Sequence, residues 1–92
     1  MKSVIRDSKE CYVCQTTYNL HDHHIFFGTA NRKQSEKYGM KVWLCQEHHT
    51  GSAGVHFSKP LDLHLKKLAQ ETFEGLYGDR NEFIRVFGKS WI

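Results

Sequence analysis

Cysteine is scarce in this 92-residue chain: there are three, an odd number that cannot supply a complete set of disulfides. Long hydrophobic runs are missing altogether, and no stretch approaches the roughly 20 apolar residues that span a bilayer. The opening Met1-Lys2-Ser3-Val4-Ile5-Arg6-Asp7 lacks the apolar centre of a signal peptide. These absences lead to a cytoplasmic expectation with no membrane partner. In that compartment thiols stay reduced, and paired cysteines bind metal more often than each other. No internal repeat, linker or low-complexity stretch divides the chain, so residues 1–92 are read as one domain. Apolar residues make up only 39%, and a domain this small buries a limited share of its surface. Ordering costs roughly 1.5 kcal/mol per residue, which burial at this size only about offsets. A staple other than disulfides is therefore expected. The charge excess is modest, 13 Lys and Arg against 10 Asp and Glu, which is compatible with nucleic acid without establishing it.

Histidine is plentiful instead, with seven residues, four of them in two adjacent pairs, His23-His24 and His48-His49. Imidazole is a poor core filler but the commonest metal ligand, and it moves protons near neutral pH. Cys11-x2-Cys14 and Cys45-x2-His48 are two pairs at zinc-ligand spacing, each able to place both side chains on one tetrahedral ion. Four protein ligands leave no open position, so this Zn²⁺ would be structural. In small finger peptides such a site contributes about 10–16 kcal/mol of apparent binding energy, enough to decide whether a chain this size folds. A redox Cys-x2-Cys, or unrelated buried thiols, are the competing readings.

The elements follow from periodicity. Residues 1–10 read as a polar lead-in, and Cys11 to Tyr18 as a zinc-knuckle turn. Leu20 to Phe27 carries strand-favouring bulk in Ile25, Phe26 and Phe27. Gly28 to Gly39 is polar and reads as a loop or a short helical turn. Lys41 to Leu44 alternates as a second strand would, which gives a hairpin with a long basic connection. Ser58 is a plausible N-cap with Pro60 close behind. Leu61, Leu65, Leu68, Thr72 and Leu76 then mark a helical face ending near Gly78. Asp79 and Glu82 fit a capping box that starts a helix with Phe83, Ile84 and Phe87 inward, stopping at Gly88. The class expected is α+β, with a metal-bearing core of about 11–57 and a helical part of about 58–92.

Asp22-His23-His24-Ile25 followed by Leu44-Cys45-Gln46-Glu47-His48-His49 resembles the HNH nucleases, whose ββα-metal fold often carries a zinc site of this spacing. His23-His24-Ile25-Phe26, Ser35-Glu36-Lys37-Tyr38-Gly39, Val55-His56 and Phe87-Gly88-Lys89-Ser90-Trp91 are similar to small phage and prophage HNH-type proteins of bacteria. The likeness runs from Cys11 to Ile92. It implies His23 as first ligand of a catalytic divalent ion (Mg²⁺, Mn²⁺, Ni²⁺ or Zn²⁺), His24 as general base, His49 as second ligand and His56 as candidate third. His56 as a cap or packing residue beneath the helix stays open. The family's middle asparagine has no counterpart at its usual place near Met40; Asn31, in the connecting loop, is the position offered for it.

The resemblance implies phosphodiester hydrolysis in DNA, leaving 5′-phosphate and 3′-hydroxyl ends. Adjacent strand residues point to opposite faces, so His23 and His24 can share one site only where the backbone bends. Arg32, Lys33, Lys37 and Lys41 are the expected phosphate contacts, with Lys59, Lys66 and Lys67 near the long helix; such contacts carry little sequence choice. Trp43 and Trp91 read as packing residues, and His21 and His64 are given no role. The function expected is a phage-type DNA endonuclease or nickase, a monomer or homodimer in the bacterial host cell. The alternatives are a zinc-stabilised module that binds DNA or a protein without cutting, and a nuclease that works with a phage packaging or host recombination protein.

Overall fold

In the computed structural model, which describes residues 3–92, the chain runs β1 (Leu20–His24), α1 (Thr29–Tyr38), β2 (Lys41–Cys45), α2 (Gln46–His49), α3 (Lys59–Leu76) and α4 (Arg80–Phe87). Met1 and Lys2, the start of the expected lead-in, lie outside the described residues. The architecture is α+β, with one two-stranded antiparallel sheet and four helices. Register runs from Leu20 opposite Cys45 to His24 opposite Lys41. Pairing therefore sets both histidine-bearing segments within reach of each other across one ladder.

β1 is shorter than its apolar bulk suggests. Ile25 N–H still reaches Met40 O at 3.0 Å, but the backbone of Phe26 turns to a side chain. Its N–H donates to Ser35 Oγ at 3.1 Å, and its carbonyl accepts from the same hydroxyl at 2.8 Å. Ser35 is fully buried on α1. That helix is the main correction to the sequence reading: a ten-residue helix stands where a loop or short turn was expected. Ser35 is the only one of its residues that is buried, so the helix shows no apolar stripe. A polar anchor and the left-handed Gly39 at φ 71°, whose N–H caps Ser35 O, fix it instead.

Residues 3–12 lie along the outer edge of β2. The carbonyls of Lys41 and Trp43, two residues apart, face away from β1. They accept from Ser3 Oγ at 2.5 Å and from Tyr12 N–H at 2.9 Å. The expected caps are in place at the other end of the chain. Ser58 Oγ accepts from Leu61 N–H at 3.3 Å, and Asp79 Oδ1 from Glu82 N–H at 2.9 Å.

The core is aromatic. Phe26 packs on Phe87 and Phe83 with ring centroids 4.5 and 5.3 Å apart, and Phe73 on Phe83 at 5.4 Å. The sheet exit and both C-terminal helices thus share one interior, to which each ring adds large apolar area and edge-to-face contact. This cluster rotates α3 away from the expected leucine face. Leu65, Ala69 and Phe73 are fully buried, whereas Leu76 is 61% exposed. In α4 it is Phe83 and Phe87, one turn apart, that point inward, and Ile84 is left exposed. Gln70 is buried and spoken for: it donates to Glu74 and Ser90 and accepts from Trp91 N–H at 2.7 Å. Trp91 packs as expected, under the ammonium groups of Lys66 and Lys89.

Candidate functional site

The knuckle turn sets the first cluster. Cys11 N–H bonds Thr16 O, and Gln15 N–H returns to Cys11 O, both at 2.9 Å. Gln15 takes a left-handed φ of 62° to close the turn. Across the sheet, Cys45 ends β2 and His48 follows one helical turn later on α2. The ligand atoms of Cys11, Cys14, Cys45 and His48 lie within 4.8 Å of one another, close enough to hold a metal ion. Their edges can be checked against chemistry. Zinc bonds of about 2.3 Å to sulfur and 2.0–2.1 Å to nitrogen give tetrahedral edges of about 3.8 Å between sulfurs and about 3.5 Å from sulfur to nitrogen. Cys14 Sγ is 3.8 Å from Cys45 Sγ, Cys11 Sγ is 3.6 Å from His48 Nδ1, and Cys45 Sγ is tighter, at 3.2 Å from the same nitrogen. Burial alone would raise the Cys11 thiol, but N–H groups of Cys14, Cys45 and Val13 outweigh it and bring it down to about 6. Burial instead pushes the Cys45 thiol up.

A second cluster lies beside the first. His23, His49 and His56 present nitrogens within 4.8 Å of each other. His49 Nε2 and His56 Nε2 are 3.3 Å apart, the edge expected of two imidazoles on one tetrahedral ion with bonds of about 2.0–2.1 Å. His23 is buried, and its Nε2 is the one buried side-chain polar atom among the described residues without a hydrogen-bond partner. An orphaned buried nitrogen is costly, and a cation would satisfy it. Burial, then the neighbouring His49, His56, His24 and Lys66, hold His23 down to about 3, so it is neutral and its lone pair is available. The residues therefore fit a divalent ion. His56 arrives because the chain after α2 doubles back: Val55 N–H bonds His48 O at 2.9 Å. A Cβ on Gly54 would meet the carbonyl carbon and oxygen of His49 at 2.8 Å, so only glycine passes there.

β1 keeps the strand alternation. His21 and His23 share the face toward His49, while Asp22 and His24 face Glu36 and Lys41. His21, given no role from sequence, sits half-buried with Nδ1 2.9 Å from His49 Nδ1. That leaves His49 Nε2 for the cluster, the arrangement in which a ligand imidazole is oriented through its other nitrogen. The signal was available in the two-residue spacing of His21 and His23. His24 nonetheless reaches the same site. β1 ends there, and a cleft of about 240 Å³ is lined by His23 and His24 together with Asp22, Phe27, Arg32, His49 and His56.

On the second face, His24 Nε2 lies 3.0 Å from Glu36 Oε1, and Glu36 Oε2 lies 2.5 Å from Lys41 Nζ. The hydrogen bond from Lys41, followed by that from His24, holds the Glu36 carboxyl down to about 2. Lys41 was expected to contact DNA; instead it is buried, 3% exposed, and held by Glu36 and by Asp22 at 3.8 Å. Lys66 is also buried, bonded to Asp62 at 2.8 Å and set over Phe27. Arg32, Lys33 and Lys37 remain exposed on α1. Arg32 lines the histidine cleft, and both Arg32 and Lys33 line a neighbouring cleft of about 530 Å³ that it shares with His24. Asn31 lies on α1 rather than in a loop, and is absent from the lining of both clefts.

Comparison with protein-family models, with curated proteins and with solved structures returned no match. Among the described residues no helix is long and apolar enough to cross a membrane.

Proposed function

We propose that the chain is a metal-dependent HNH-type DNA endonuclease or nickase with little sequence preference, built on a zinc-stabilised ββα-metal core. The observation that carries this reading is the buried, unpartnered His23 Nε2 facing His49 and His56, with His24 on the same cleft. Three imidazoles holding one ion leave a position open, as catalytic sites require, while the Cys11, Cys14, Cys45 and His48 set is complete and suits structural zinc. The bound divalent ion would supply Lewis-acid stabilisation of the charge that grows on the phosphate and on the departing 3′ oxygen. His24 takes the proton of the attacking water. Arg32 and Lys33 hold flanking phosphates by charge, which gives affinity that falls steeply with salt. A phage or prophage origin, with DNA cut in the host cytoplasm alone or beside a packaging or recombination protein, is the setting that accords with the sequence resemblance.

The test is supercoiled plasmid incubated with the purified chain and Mg²⁺, Mn²⁺, Ni²⁺ or Zn²⁺, beside a His24→Ala control. The expected result is nicking by the wild type and a loss of about 10²–10⁴-fold in the control, the range of a positioned general base. Equal nicking by the control refutes the base assignment. One observation favours a second reading, a module that binds DNA or a protein without cutting: no asparagine lines the cleft. Plasmid retained but uncut with every ion would decide for that alternative.

A further inference from the structure

The face of β1 away from the three-histidine cluster carries a second constellation. Asp22, His24 and Glu36 offer ligand atoms within 4.8 Å of one another, but this is not another cation site. The ammonium of Lys41, itself buried, already sits 2.5 Å from Glu36 Oε2 and 3.8 Å from Asp22 Oδ2. The place between the carboxylates is filled by a fixed charge. What that charge does is hold Glu36 with one oxygen turned to Lys41 and the other to His24.

Resting on the nuclease reading above, we propose that Glu36 is the positioning residue of the reaction, orienting the His24 ring through its contact with Nε2. A carboxylate can only accept a hydrogen bond, so His24 Nε2, 3.0 Å from Glu36 Oε1, must carry the hydrogen. In the neutral ring Nδ1 is then the nitrogen with the free lone pair, and none of the side-chain hydrogen bonds among the described residues involves it. One contact thus settles both which nitrogen works as the base and which way the ring is turned.

The support behind Glu36 is rigid for an exposed side chain. Its neighbour Ser35 clamps α1 to both backbone groups of Phe26, two residues beyond His24. Lys41 lies opposite His24 in the ladder, so base, carboxylate and ammonium are fixed by one strand pair and the helix between its strands. The logic is that of a triad, in which a carboxylate holds an imidazole in its working tautomer without itself taking the proton.

The experiment compares Glu36→Ala and Glu36→Gln with wild type in single-turnover plasmid cleavage over a range of DNA concentrations. Alongside it, the Nε2–H of His24 is followed by ¹H–¹⁵N NMR. The alanine variant should lose about tenfold or more in kcat, within the 10²–10⁴ that a positioned base supplies, with KM for DNA unchanged. The His24 Nε2–H signal should vanish with it. The glutamine variant keeps one acceptor oxygen for two donors, Lys41 and His24, so it should recover only part of the rate and of the Nε2–H signal, and more than the alanine variant does. Asp22 continues to pair with Lys41 in both variants, and circular dichroism checks that each is folded. An alanine variant that cuts like wild type, loses only in KM or keeps the wild-type Nε2–H signal overturns the inference and leaves the nuclease reading standing. A wild type inactive with every ion overturns the nuclease reading and the positioning role together, and the NMR signal then reports only whether the bond exists.

Discussion

At the scale of single residues, the two adjacent histidine pairs divide their work in different ways. His48 and His49 follow each other on one helical turn, and one turns to the cysteine cluster while the other turns to the imidazole cluster. His23 and His24 separate by strand alternation instead, one inward and one toward Glu36. His21 enters by the same alternation, two residues before His23, and its contact with His49 gives a prediction. His21→Ala should weaken binding of Co²⁺ or Zn²⁺ to the three-histidine cluster by about 10–100-fold, the usual effect of removing a partner that orients a ligand. Isothermal titration with the thiolate site already loaded measures this, and unchanged affinity would show that His49 needs no second support. The metal-ligand candidates were legible because zinc spacing and paired histidines are local signals. Glu36 and Lys41 were not: a carboxylate on an exposed helix and a buried lysine both read as solvated charge until α1 and β2 are seen together.

At the scale of elements, the caps and strands followed from sequence, while the helix between the strands did not. Ser58 and Asp79 announce α3 and α4 because a capping side chain acts within three residues of itself. α1 gives no such warning. It begins after Gly28 with no side-chain cap, and its hold on the fold is the hydroxyl of Ser35 against the backbone of Phe26, nine residues away. The face of α3 was misjudged for a related reason: leucine spacing marks an apolar stripe, but contact with Phe83 and Phe87 decides which edge of that stripe turns inward. The return of the chain after α2 carries its own test. In Gly54→Ala the new methyl meets backbone rather than a flexible side chain, and overpacking of this kind costs about 1–3 kcal/mol. Melting should fall by several degrees, at about 4–8 °C per kcal/mol for a domain of this size. His56 should leave the cluster, which metal titration reads separately.

At the scale of the whole molecule, a phenylalanine interior stands beside a Cys/His knuckle whose side chains are close enough to hold a metal ion. The aromatic cluster joins the chain just beyond β1 to α3 and α4, while the knuckle joins the N-terminal turn to the end of β2, and the Cα radius of gyration is 12.6 Å. Cys14 is exposed and packs against little, so its replacement tests the metal and not the core. Cys14→Ala should bind one zinc fewer by mass spectrometry and lose its cooperative melting transition, since a structural zinc of this kind contributes about 10–16 kcal/mol. A normal melt would show that the phenylalanines suffice alone. The segment of residues 3–12 has a different importance. A two-stranded sheet is nearly all border, and an unpaired border is where one chain templates another. By satisfying the outward carbonyls of Lys41 and Trp43, Ser3 and Tyr12 deny that border to other copies of the chain. Residues 3–12 thus do two things at once: Cys11, Val4, Ile5 and Tyr12 join or flank the interior, while Ser3 and Tyr12 cover two acceptors on a border where chains can pair edge to edge.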